Sequence, residues 1–386
     1  MRNACLLAAI TVLVVVEPSF GAVAAEESRC VGSFCNTVVT YRGEPGEHNV
    51  LSIRPTEKPT EMVLSDTGAT IRGCPAFEGG VRCQNLSGVV YAWLGDGDDQ
   101  ASRLNEVWGG AGNDRLASAS RASGGPGDDV VTNVRMIHDD DGEAPGHDVY
   151  VGAAPPVDSV SSDTRAELHY DKRAVPVQLD LRPGQSTEDQ VSGIPKIYGT
   201  KGADTFTGDD GPNELYGLGG RDVVRGLGGD DVLVGDTLDG GAGDDTLSGG
   251  SHGGRIRCGA GRDVVTAGPR AWVAADCESL RLADEDGVGP RVTLRLSMAR
   301  ATSSFVTGIE PCRCGATDRW TVRIGKTVVA SLSPSRRHST LRLNAAGQRL
   351  LRRSGRVRAD VQIRVGRPAV RHRFTLDLDL RPTSER

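Results

Sequence analysis

Aromatic side chains make up only 4% of the 386 residues, with six Phe, six Tyr and four Trp. So few large rings leave a conventional globular core hard to fill, and the chain must either stay unfolded or be held by something besides buried hydrophobic area. Long apolar runs are missing too. The longest, residues 6–16, is too short for a permanent bilayer span, and no transmembrane segment is expected after it. The sequence has no H-E-x-x-H and no P-loop, and its seven histidines are scattered. The basic C-terminal part holds only three aromatic residues, Phe305, Trp320 and Phe374, too few to interleave stacking rings with its basic side chains, which argues against a nucleic-acid partner.

Glycine, by contrast, is abundant, at 51 residues, and 51 acidic side chains stand against 45 basic ones. The charge is segregated along the chain. Residues 290–386 hold 21 basic and 6 acidic side chains, against 24 and 45 before them. The net charge of −6 therefore hides an acidic body and a basic C-terminal part.

The acidic body is periodic. Residues 199–234 divide into four nine-residue units, GTKGADTFT, GDDGPNELY, GLGGRDVVR and GLGGDDVLV. Glycine occupies positions 1 and 4, Asp or Asn position 6 (Asp204, Asn213, Asp222, Asp231), and an apolar residue position 8 (Phe206, Leu215, Val224, Leu233). A fixed period of this kind marks a solenoid. The glycines supply turns, the apolar position a short inward-facing strand, and the carboxylate recurs at one point of each turn.

Upstream the same turn recurs every fifteen residues, in LGDGDDQAS from Leu94, GGAGNDRLA from Gly109 and GGPGDDVVT from Gly124, with a weaker EAPGHDVYV from Glu143. Position 6 is then Asp99, Asp114, Asp129 and Asp148. One glycine turn alternating with a plain turn predicts carboxylates on one side of these coils and on both sides of 199–234. Residues 152–197 form an irregular β insertion in which Val175, Val177, Leu179 and Leu181 alternate, followed by a loop, RPGQSTEDQ. Downstream, five residues (235–239) are read as an insertion before GGAGDDTLS, GGSHGGRIR and CGAGRDVVT, with position 6 at Asp245, Gly254 and Asp263. The ladder is expected to fail at Gly254. Stacking of alternate turns pairs Asp204 with Asp222, Asn213 with Asp231 as the best-formed sites, and Asp222 with Asp245 across the insertion.

A column of carboxylates about 5 Å apart repels itself unless a cation intervenes. Calcium suits it, since it accepts six or more carboxylate and carbonyl oxygens in forgiving geometry. Magnesium demands tighter octahedral geometry, and zinc wants nitrogen or sulfur ligands absent from these turns. Glycine and Asp also suit turns without any ion. That accounts for one or two turns, not for the same three positions kept through the series.

Around this body, residues 1–25 read as a secretory signal peptide, with Arg2, the apolar run and the small residues Ala22-Val23-Ala24. Residues 26–93 read as an N-terminal β cap on the open edge of a roll spanning 94–286. Cys30 with Cys35, Cys74 with Cys83 and Cys258 with Cys277 are the expected disulfides, leaving Cys312 and Cys314 undecided. Residues 287–386 alternate in about seven short strands, with AAGQRLLRRSG a short helix or turn, and suggest a basic, immunoglobulin-like β-sandwich. His138 beside Asp139, Asp140 and Asp141 reads as an acidic surface loop, not a site.

Residues 94–266 resemble the hemolysin-type, or RTX, repeats, whose motif GGxGxDxUx is matched fully from Gly109, Gly124 and Gly240. CGAGRDVVTAGPRAWVAADCESL is similar to the closing segment of secreted bacterial proteins of this type. The resemblance implies an all-β fold with a parallel β-roll, and calcium bound through backbone carbonyls and position 6, here Asp99, Asp114, Asp129, Asp204, Asn213, Asp222, Asp231, Asp245 and Asp263. It implies neither pore formation, for want of a long apolar helix, nor the C-terminal secretion signal of exported toxins. The expectation is a secreted, extracellular, non-enzymatic calcium-binding protein whose roll folds or stiffens with Ca2+. A second reading makes the basic sandwich an adhesion module for an anionic cell-surface polymer with the roll as spacer, and a third an extracellular hydrolase. Oligomeric state is not legible.

Overall fold

The computed structural model describes residues 21–282, apart from 32–33, 59, 85–87, 140–145, 154–164, 251, 253, 268–270, 275–276 and 278, and only strands beyond 282. Every element described is a β-strand. Among the described residues no helix is long and apolar enough to cross a membrane.

Each coil of the chain gives one short strand to a first sheet and one to the opposite face. The first sheet runs in parallel from Val90–Asp96 through Glu106–Ala111, Arg121–Ser123 and Met136–His138. It continues through Glu167–His169, Lys196–Tyr198, Glu214–Tyr216 and Val232–Gly235 to Ser279–Leu282. The opposite face is shared by two sheets. A second sheet carries the coils up to Gln190–Ser192, and a third begins at Gln178–Asp180 and continues through Thr205–Thr207 and Val223–Gly228. The change of sheet falls inside the irregular stretch 152–197. Three-residue strands cannot persist alone; stacking in register gives each a ladder partner on either side.

Between the faces lies a thin aliphatic core. Ala92, Val107, Ala122, Ile137, Leu168, Ile197, Leu215, Leu233, Leu247 and Val265 occupy a single registered column on the first sheet, and all are buried. Opposite them sit Leu116, Val131, Phe206, Val224, Leu238 and Ile256, equally buried. The position-8 residues thus point inward, as the period predicts. Val177, Leu179 and Leu181 also point inward, so the insertion continues the stack.

Antiparallel strands precede the first coil on both faces. Val23–Val31 and Phe34–Arg42 form a hairpin, and the second of these pairs in parallel with Val90–Asp96. Val50–Pro55, Glu61–Asp66 and Gly80–Gln84 form a meander joined to Gln100–Ser102. The Cys74–Cys83 and Cys258–Cys277 disulfides are formed, and Cys30 and Cys35 are register partners across the hairpin. Residues 1–20 of the expected signal peptide, Cys312, Cys314 and the 345–355 segment lie outside the described residues. C-terminally, Arg319–Ile324, Thr327–Leu332, Arg356–Val365 and Val370–Asp379 are antiparallel to one another, and the last pairs in parallel with Trp272–Val273 of the third sheet. Ser304–Thr307 and Ser339–Arg342 pair separately.

Candidate metal centre

The glycine turn GGAGND from Gly109 shows how the repeat is built. Gly110 and Gly112 take φ of 111° and 131°, which side chains avoid. The bend folds the Asp114 side chain back over Gly109, so closely that a Cβ at Gly109 would collide with Asp114 Oδ2 and with the carbonyl oxygen of Gly124 in the next coil. Gly109 must therefore be glycine for a reason of space. The same pair of oxygens, the turn's own carboxylate and the carbonyl of the next position 1, converges at Gly226 (Asp231 and Gly240) and Gly240 (Asp245 and Cys258). Each turn thus holds an oxygen-lined gap between two coils.

The position-6 side chains stack into three ladders. Along the first, the backbone N–H of each Asp donates to Oδ1 of the next: Asp99 to Asp114 at 2.8 Å, Asp114 to Asp129 at 2.7 Å, and Asp129 to Asp148 at 2.7 Å. Asn49 N–H starts this ladder on Asp99 at 2.6 Å, and Asp148 N–H ends it on Asp189 at 3.1 Å. A second ladder joins Val177 and Asp204 N–H to Asp204 and Asp222, at 2.8 and 3.0 Å. The third, on the other side of the coils, joins Asn213 to Asp231, Asp231 to Asp245 and Asp245 to Asp263, at 2.8, 2.9 and 3.0 Å. The fifteen-residue coils therefore carry carboxylates on one side, and the coils of 199–234 on both.

All nine expected side chains are buried, Asp99 and Asp204 completely and Asn213 most exposed at 3%. Oδ1 is satisfied by the ladder, but Oδ2 of Asp99, Asp114, Asp231 and Asp245 is buried without a hydrogen bond among the described residues. An unpaired buried carboxylate oxygen is costly. Burial is the main reason that Asp114 and Asp231 are pushed up from 3.8 to about 7, and Asp222 and Asp245 to about 6; neighbouring carboxylates add to it, while ladder hydrogen bonds oppose it. Burial likewise raises Asp99 and Asp204. A hard cation bound by Oδ2 and the facing carbonyl would relieve both costs, so the residues present fit calcium.

In a comparison with known protein families, the RTX calcium-binding nonapeptide repeat matches in four copies, over residues 105–120, 198–233 and 235–252. The matched turns are RTX-type, hemolysin-type calcium-binding repeats. A search of curated proteins gives no match. RTX nonapeptides bind calcium, proteins that carry them are typically secreted, and rolls built from them are generally structural.

Within the RTX roll, several placements depart from the spacing. Residues 235–239 are not an insertion. Thr237–Ala242 is the strand that pairs with Val223–Gly228, and Gly235-Asp236 is a plain turn replacing a nonapeptide. Asp222 therefore stacks on this turn, through its carbonyl to Asp236 and Thr237 N–H, and Asp245 pairs with Asp231 instead. Asp236 accepts from His252 N–H at 3.2 Å, and the following rung is Gly254, packed against the Asp236 carbonyl. This ladder stops where a carboxylate is missing.

Asp204 and Asn213 are paired as the period predicts, yet their oxygens are already engaged. Asp204 accepts from Thr200 N–H and Oγ1 at 2.7 and 2.8 Å, and Asn213 Oδ1 from Asp209 N–H at 2.9 Å. Thr200 and Asp209 at position 2 close these two turns internally. The oxygens left open lie in the turns at Asp99, Asp114, Asp231 and Asp245.

Asn49 and Asp189 escape the repeat pattern because the turn before Asn49, with Gly43 and Gly46, is one residue longer than the nonapeptide turn, and the loop before Asp189 holds a single Gly184, although both carry ladder rungs. Asp139, expected on a surface loop, is fully buried; Asp140 and Asp141 lie outside the described residues. Its partner is Arg173, only 4% exposed, whose Nη1 lies 3.5 Å from Asp139 and 3.6 Å from Asp189 while Nη2 donates to Glu188 at 2.9 Å. Tyr150 and Tyr170 hydroxyls donate to Asp148 and Asp189 at 2.7 and 2.8 Å. Burial alone would lower the Arg173 pKa, but the three carboxylates outweigh it and raise it. In the irregular coil the ladder is neutralised by the protein's own guanidinium.

Proposed function

We propose that this is a secreted calcium-binding protein whose RTX turns take up Ca2+ between successive coils and thereby fold or rigidify the roll. Asp99, Asp114, Asp129, Asp222, Asp231, Asp245 and Asp263 supply the carboxylates, with Asp204 and Asn213 as weaker members. The supporting observation is the buried, unpaired Oδ2 of Asp99, Asp114, Asp231 and Asp245, each in a turn of the same build. Calcium binds the stacked turns and not the unfolded chain, so its binding free energy becomes folding free energy. The antiparallel strands of 26–93 serve as a cap, and the basic 287–386 region as a sandwich joined to the roll through Val370–Asp379. Calorimetric titration of the chelator-treated protein with CaCl2, followed by far-UV circular dichroism, tests this. Several equivalents of calcium and a gain of β signal are expected. Absence of both would overturn it.

A further inference from the structure

The outer surface of the first sheet carries a second set of donor atoms, unrelated to the RTX turns. His138 ends the strand Met136–His138 and His169 ends Glu167–His169, and the two are register partners on adjacent strands. Parallel pairing places their rings 5.0 Å apart, centroid to centroid. Two residues beyond His169 the chain turns, and Asp171 comes back over the pair with Oδ1 4.0 Å from His138 Nδ1. That oxygen is buried and has no hydrogen bond among the described residues, although its sister Oδ2 lies 3.8 Å from Lys172 Nζ. One ligand atom from each of His138, His169 and Asp171 falls within 4.8 Å of the others.

We propose that His138, His169 and Asp171 form a site for a divalent transition metal of the zinc class. Two imidazoles and one carboxylate are a donor set that zinc favours and calcium does not. At metal–ligand bonds of 2.0 to 2.2 Å, tetrahedral ligand atoms stand roughly 3.4 Å apart. The side chains therefore need to close by about 1 Å, within rotamer adjustment at partly buried positions. A 4.0 Å separation is too long for a His138–Asp171 hydrogen bond, but suits two groups sharing one ion.

Glu167 supplies the outer support such a site requires. Its Oε2 lies 3.2 Å from His169 Nε2. A carboxylate oxygen accepts here, so Nε2 donates to Glu167 and Nδ1 is the ring nitrogen left to face an ion. Carboxylate–histidine pairs of this kind fix ring orientation and raise ligand basicity. Lys196 holds Glu167 in turn, at 3.0 Å.

The test is calorimetric titration of the untagged full chain with ZnCl2 in excess calcium, which keeps the RTX turns filled. One equivalent of zinc is expected, lost in His138→Ala/His169→Ala and weakened about ten- to hundredfold in Glu167→Gln. Circular dichroism in calcium should be the same for all three proteins, since the substituted side chains face outward. Should the double variant misfold, Asp171→Asn takes its place, read by the intensity of the visible Co2+ spectrum, which a four-coordinate site makes strong. Zinc uptake by the double variant equal to that of the parent, or a Co2+ spectrum unaltered by Asp171→Asn, overturns the assignment. Calcium binding measured in the same proteins is unaffected either way, so failure here leaves the RTX reading standing.

Discussion

The ladder carboxylates make a prediction about the metal-free protein that runs against the usual behaviour of acidic proteins. Burial raises Asp114 and Asp231 from 3.8 to about 7, and Asp222 and Asp245 to about 6. Each group binds its proton more tightly in the fold than in the unfolded chain. Its contribution to stability is therefore fully present below about pH 4 and is lost as pH rises through 6 to 7. A rise of about three units corresponds to at most ~4 kcal/mol, and one of about two units to ~3 kcal/mol. The turns lie at the edge of a thin solenoid, where water screens charge, and halving these figures leaves roughly 7 kcal/mol for the four together. That is comparable with the whole stability of an ordinary domain.

Protons should thus stand in for calcium. About 4 kcal/mol of this is lost between pH 5 and pH 8, because at pH 5 the unfolded chain already holds few of these protons. Thermal denaturation of the metal-free protein, followed by far-UV circular dichroism, is therefore expected to give a melting temperature about 10 °C higher at pH 5 than at pH 8. Calcium should reverse the order, because the ion needs deprotonated ligands and stabilises strongly at pH 8 and little at pH 5. The lowered pKa values of Glu167 and Asp180 act in the opposite sense, but only below about pH 4.5, outside the chosen interval. A metal-free protein equally stable at both pH values, or more stable at pH 8, would refute the argument.

Other consequences follow from single turns. Gly109→Ala places a methyl where Asp114 Oδ2 and the Gly124 carbonyl converge, and should remove about one equivalent of calcium in a calorimetric titration. Asp231→Ala with Asp245→Ala should raise the calcium needed for half-maximal β signal at least tenfold, whereas Asp204→Ala, in a turn closed by Thr200, should shift it less than threefold. Arg173→Met leaves Asp139 and Asp189 buried without their guanidinium and should cost about 3 to 5 kcal/mol, read as a lower melting temperature even in saturating calcium. Asp139→Asn should destabilise in the same assay while leaving calcium stoichiometry unchanged.

Position 6 and position 8 were legible because each answers to one local demand repeated in every turn. Leu215, Leu233, Leu247 and Val265 of the inward column, and the rungs from Asp99 to Asp148, from Asp204 to Asp222 and from Asn213 to Asp231, follow from them without knowledge of the tertiary structure. Partners created by stacking alone were not legible. Asn49 and Asp189 sit off the nonapeptide spacing, six residues after Gly43 and five after Gly184, and only the neighbouring coil reveals them as rungs. Arg173 looks like any charged residue of a loop until Asp139, Glu188 and Asp189 are brought round it from different coils. The Asp222–Asp245 pairing failed for a related reason. Counting by nines treats five extra residues as an intrusion, whereas a plain turn can replace a whole nonapeptide at no cost to strand register.

That substitution explains how one ladder mechanism tolerates unequal coils. Rungs are 15 residues apart between Asp114 and Asp129, 18 between Asp245 and Asp263, and 14 between Asp231 and Asp245. The N–H to Oδ1 distances are nonetheless 2.7, 3.0 and 2.9 Å. Registered strands fix the rung, since Leu233 faces Leu247 as squarely as Val107 faces Ala122; the length difference is absorbed by the turn that carries no rung. Calcium affinity should therefore depend on the composition of the glycine turn and not on coil length. Lengthening the Gly235-Asp236 turn by four glycines, to restore eighteen residues, should leave the Asp231–Asp245 site intact. Loss of one calcium equivalent from that variant would show that coil length, not turn chemistry, sets the site.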